Sequence, residues 1–123
     1  MRVVEIDAKL KYRVDVLLES GEIDADIAQA VIAFAEYIEA QYDILLNEDN
    51  GSMLLTHICM ALVRIKKGDE ILPMDAEVLA QVRDNEVYRQ IPNLVRMLER
   101  KLNVSIPESE FGYLAVHLIN LLG

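Results

Sequence analysis

A chain of 123 residues with a formal charge of −9 and one cysteine is about one domain's worth of protein, able to bury a core without a metal or an internal disulfide. A hydrophobic content of 53% with few aromatics, no Trp and three Pro favours helices over a β-sandwich, and 27% charged residues rule against disorder by composition. Residues 1–50 hold 12 acids against 4 bases, an acidic balance that repels phosphate backbones, so no direct nucleic-acid partner is expected.

The N-terminal run "MRVVEIDAKLKYRVDVLLESGEID" alternates charge with apolar residues and has no signal-peptide core. No run approaches the ~20 apolar residues of a membrane span, and a lone Cys59 suits a reducing compartment, so a cytoplasmic chain without a membrane partner is expected. The first helix is expected from about Asp7 to Glu19, with Leu10, Val14, Leu17 and Leu18 at helical spacing and Gly21 as its stop. The second runs from about Asp24, its cap, to Leu46, with Ile27, Val31, Phe34, Ile38, Tyr42 and Leu45 as a stripe and Asp26, Glu36 and Glu39 off it. "NEDNG", residues 47–51, reads as a turn, and the third helix then covers Ser52 to Lys67, with Gly68 beyond a basic last turn.

A fourth helical region opens at Asp75 and is expected to break or kink near Gln90-Ile91, because the residue before Pro92 disfavours helix. It resumes as "NLVRMLERKLN", with Leu94, Met97, Leu98 and Leu102 on one face. The fifth helix starts from a capping-box pattern, Ser105 followed by Glu108, and runs to about Leu122. No strand and no internal repeat of fixed period is read. The expectation is all-α: one compact five-helix bundle of antiparallel helices spanning residues 1–123.

Two histidines stand in apolar helices. His57 shares a face with Met53 and Ala61, with Arg64 two turns on; His117 shares one with Tyr113 and Leu121, with Glu110 two turns before. Seven residues span ~10 Å, so these spacings align groups without making contacts. The plainest reading is a packed histidine whose ring nitrogens are satisfied by the protein. The di-iron Glu-x-x-His pattern is missing, since Leu54 and Leu114 stand three before the histidines, and there is no zinc motif; no metal or cofactor is expected. There is no nucleophile elbow and no phosphate-cradling glycine loop, and Cys59 reads as a small core residue. What remains is imidazole as a phosphoryl acceptor, where a nearly neutral ring would gain close to two negative charges.

"LLTHICMALVRIKKGDEI" and "ESEFGYLAVHLINLL" resemble the two histidine motifs of the phosphotransferase-system regulation domain. His57 with Arg64 matches the first motif, and Glu110, Tyr113 and His117 match the second. "LERKLNVSIPESE" resembles the family's entry to the last helix, and the likeness runs from about Asp7 to Leu122. It implies an all-α regulatory domain, commonly dimeric, that is not an enzyme. Its phosphorylated residues would be His57 and His117, with Arg64 as a phosphoryl neighbour, Glu110 orienting a ring and Asn50 as a polar position ahead of the first histidine. The donor would be the histidine-containing phosphocarrier protein or a sugar-permease B domain. Family members usually carry two such domains behind a nucleic-acid-binding region. One copy here implies a stand-alone sensor or adaptor that acts on transcription or transport through a regulator protein.

Two other readings compete. One is a helical dimerisation or interaction module whose histidines are structural. The other is a small helical enzyme binding an anionic metabolite through arginines such as Arg64, Arg89 and Arg96, which no spacing singles out.

Overall fold

The computed structural model describes residues 6–122; residues 1–5 and 123 of the expected 1–123 domain lie outside the described residues. These form helices α1 (Ala8–Glu19), α2 (Ala25–Tyr42), α3 (Glu48–Lys67), α4 (Ala76–Arg83), α5 (Glu86–Leu102) and α6 (Phe111–Leu122). A single 3₁₀ turn, Glu108–Glu110, leads into α6. The class is all-α, with no strand among the described residues. None of these helices is long and apolar enough to cross a membrane.

The count is six rather than five because the fourth region is two helices, and the break is not at the proline. Asn85 adopts an extended backbone and its side chain accepts from Val87 N at 2.9 Å, which ends α4 and caps α5. Pro92 lies inside α5, whose helix continues past it. An interior proline costs about 3 kcal/mol. Ile91, Leu94, Val95 and Leu98 around it are all buried, and each contributes roughly 1.5–3 kcal/mol. Burial therefore outweighs the lost hydrogen bond.

Other boundaries move for reasons of capping. "NEDNG" is the first turn of α3 and not a loop: Asn47 accepts from Asn50 N at 2.9 Å, and the Asn50 side chain accepts from Asn47 N at 2.7 Å. Gly51, inside that turn, is buried; a Cβ there would lie 3.1 Å from Leu10 Cδ2, so α1 and α3 close over it. The second helix stops at Tyr42, where Asp43 takes a left-handed backbone with φ 52°. Leu45 therefore leaves the expected stripe and is exposed, while Val31, Phe34 and Ile38 are wholly buried as expected. The Ser105–Glu108 capping box does not form; Pro107 precedes the 3₁₀ turn without a side-chain cap.

Glu39, expected on the polar side, is buried, and its Oε2 accepts from Leu46 N at 2.8 Å. Glu99 does the same for Ile106 N, also at 2.8 Å. The two carboxylates are 60 residues apart, and so are the left-handed residues Asp43 and Asn103 and the histidines His57 and His117. Buried pairs share that offset: Val31 with Ile91, Phe34 with Leu94, Ile38 with Leu98, Leu46 with Ile106, Leu54 with Leu114 and Ile58 with Leu118.

The bundle is thus an internal repeat, contrary to the reading of the sequence. The first half packs α1 on α2 and α3, and the second packs α4 on α5 and α6. Across the middle, α2 packs on its equivalent α5 and α3 on its equivalent α6, the pattern of a pseudo-two-fold axis. A simple antiparallel bundle of chain neighbours is corrected accordingly: elements remote in sequence pack as closely as adjacent ones.

Candidate functional site

The axis brings α3 against α6, and this seam holds both histidines. Their ring centroids are 4.8 Å apart with planes inclined at 38°. His57 sits on a helix line that is exposed at Met53, one turn before, and buried at Ala61, one turn after. That boundary position leaves its side chain 27% exposed. His117 is half-buried in α6, between the core residues Leu114 and Leu118.

Glu110 closes the 3₁₀ turn, and its side chain is almost fully buried. Its Oε1 is paired with His57 Nε2. The sequence set Glu110 on the same helix line as His117, but it reaches across to the other histidine. A buried carboxylate requires such a partner, since without one its desolvation would be costly. The Tyr113 ring lies 5.9 Å from the His57 ring, and its hydroxyl donates to Leu72 O at 3.0 Å, tying α6 to the segment after α3.

The remaining ring nitrogens are open. Among the described residues, His57 Nδ1 and both nitrogens of His117 have no hydrogen-bond partner, and none is buried. Burial, and secondarily the neighbouring His57, push the His117 pKa below its ordinary value, which favours a neutral, nucleophilic ring. Cys59, two residues from His57, is wholly buried, and desolvation pushes its thiol up to about 12. It takes no part in the seam's chemistry.

A groove of about 690 Å³ opens beside His57, and Arg64, Glu70, Leu72 and Tyr113 line it. Arg64 is exposed there and makes no ion pair among the described residues. The four residues His57, His117, Glu110 and Arg64 therefore belong to one neighbourhood. Asn50 does not join them through any hydrogen bond: its side chain caps α3 and donates to Leu45 O at 3.0 Å.

Sequence reading missed the 69–72 segment as a wall of the groove. Its signal was the apolar pair Ile71-Leu72 in "GDEILP", shortly after a glycine stop. The direct pairing of the two rings was also missed, and the 60-residue offset between the histidine motifs was its signal.

A family model described as the PRD domain matches residues 32–121, a span that contains His57, Arg64, Glu110 and His117. The chain is also 29% identical over 112 residues to the protein named Uncharacterized protein YhfY of Escherichia coli (strain K12), a match covering 91% of this chain and 93% of that one. No solved structure matches the chain.

Proposed function

The chain belongs to the PRD domain family, and from that premise we propose that it is a regulatory domain phosphorylated on histidine by the sugar phosphotransferase system. The observation that carries the proposal is the seam itself: two imidazoles 4.8 Å apart, with nitrogens that are unpartnered among the described residues and not fully buried. His57 and His117 are the proposed acceptors. The attacking nitrogen's lone pair forms the new N–P bond while the donor's bond to phosphorus breaks and its electrons return to the donor. Glu110 orients His57, and Arg64, unpaired on the adjoining groove, supplies a cation for the phosphoryl oxygens.

The donor on this reading is the histidine-containing phosphocarrier protein or a sugar-permease B domain. The chain is an acceptor rather than an enzyme. Its output is transcription or transport, tuned through a regulator protein or a second copy of the chain. Met53, 76% exposed one turn before His57, offers an apolar contact at the rim for such a partner.

The competing reading, an interaction module with structural histidines, is favoured by the pairing of half-buried His57 with buried Glu110, which satisfies one ring nitrogen as packing would. Incubation with phosphoenolpyruvate, the first phosphotransferase enzyme and the phosphocarrier, and in a second arm with a phosphorylated sugar-permease B domain, followed by intact mass at neutral pH, separates the two. A phosphoryl gain in wild type that His57→Ala and His117→Ala together abolish supports acceptor function. No gain with either donor class leaves the structural reading.

A further inference from the structure

Glu110 engages one nitrogen of His57 and leaves the other open, which gives the two edges of that ring different chemistry. An ionised carboxylate only accepts hydrogen bonds, so with Glu110 ionised the Nε2 facing it carries the proton. In the neutral ring the lone pair is then on Nδ1, the nitrogen without a partner among the described residues. Nδ1 can attack; Nε2 has no lone pair to give, and a phosphoryl group there would face the negative charge of a buried carboxylate.

We propose, resting on the phosphoacceptor reading above, that Glu110 fixes the site of modification at His57 as Nδ1, giving 1-phosphohistidine. The electron count is simple. The Nδ1 lone pair forms the N–P bond, the donor's own bond to phosphorus breaks with its electrons returning to the donor, and the Nε2 proton stays in place. The product is a phosphoimidazolium whose positive charge faces Glu110. Glu110 is a positioning residue: it selects the tautomer before transfer and balances the charge after it.

The internal repeat marks this as a property of one site only. The position 60 residues before Glu110 is Asn50, whose side chain is engaged in capping α3. His117 has no equivalent carboxylate bonded to it among the described residues. Pseudo-symmetry makes the pair of rings, and one broken position makes them unequal.

The test is the regiochemistry of the phosphorylated protein, read by ³¹P and ¹⁵N-imidazole NMR on wild type, His117→Asn and Glu110→Gln. In wild type and His117→Asn, the Nδ1 form at His57 should exceed the Nε2 form by more than about tenfold, the preference that one charged hydrogen bond sets. In Glu110→Gln the amide can donate to an Nε2 lone pair, so the preference should collapse toward a mixture. A merely structural glutamate would alter folding or yield without moving the phosphoryl group between nitrogens.

His57 phosphorylated on Nε2 in wild type overturns the inference, and so does modification confined to His117; both leave the acceptor function standing. No phosphoryl gain in wild type with either donor class overturns the function and the inference together. If His117→Asn fails to fold by circular dichroism, ¹⁵N labelling with peptide mapping of wild type decides the same question.

Discussion

Phosphorylation of one ring should oppose phosphorylation of the other. The first event places close to two negative charges on a ring whose neighbour's centroid is 4.8 Å away. Two dianionic phosphoryl groups roughly 8 Å apart repel by about 2 kcal/mol in a water-like dielectric and about 8 kcal/mol at the value suited to protein surfaces. Even the lower figure disfavours the doubly modified state by about thirtyfold. Intact mass across a donor titration should therefore plateau at one phosphoryl group per chain. At 1 M salt the Debye length falls to about 3 Å, and the second addition should become easier. Full double occupancy at low salt would refute the reasoning. It would require the seam to open so that the groups separate, and that opening would be visible as a change in amide exchange along α3 and α6.

Four further outcomes follow from the packing. The depressed His117 pKa makes its neutral form the one that suits the fold, so the unfolded chain binds more protons. Its contribution is present above the ordinary value of 6.5 and is lost as pH falls through the lower folded value; the melting temperature of wild type should drop more between pH 8 and 5 than that of His117→Gln. Cys59, wholly buried with its thiol pushed up to about 12, should resist thiol reagents in the native protein and react only on unfolding, so labelling reports global opening. Gly51→Ala forces a Cβ to 3.1 Å from Leu10 Cδ2 and 3.4 Å from Leu46 Cβ, both in the core, and should cost about 1–3 kcal/mol in denaturant melts. Gly112→Ala meets only the half-buried Leu79 and Met74 side chains, at 3.1 and 3.2 Å, which can move aside, and should be nearly neutral.

Much of the fold was legible because apolar spacing and burial share one cause. Val31, Phe34 and Ile38 repeat at helical spacing and are wholly buried, as are Leu10 and Leu98 on their own stripes. Breaks were harder to read, because local signals compete. Pro92 looked like a stop, yet Asn85 made the stop, since a capped end satisfies backbone donors while a proline only removes one. "NEDNG" looked like a turn because polar residues mark both turns and first helical turns, and only the Asn47–Asn50 bonds tell them apart. Glu39 looked like a surface acid; its burial depends on Leu46 N, presented by a turn that the helix stripe does not encode.

The site was legible as a set of residues but not as a geometry. His57, His117, Arg64 and Glu110 were named from helical spacing and a family likeness. Spacing along one helix could not say that Glu110 would bond the histidine of the other helix, because that is decided by how α3 and α6 meet. The same limit hid the groove wall at Leu72, which Tyr113 holds from a distant part of the chain.

The repeat also determines what unit can fold. Val31, Phe34 and Ile38 of α2 bury themselves with α5, and Leu54 and Ile58 of α3 belong to the same core as Leu114 and Leu118 of α6. A half-chain carrying one histidine would present these as bare apolar surface, and its natural remedy would be a second identical half. The two-ring seam is therefore what a self-complementary half-length peptide would make by pairing. Covalent fusion of the halves gives each ring its own sequence context, so a single substitution can specialise one histidine without touching its twin.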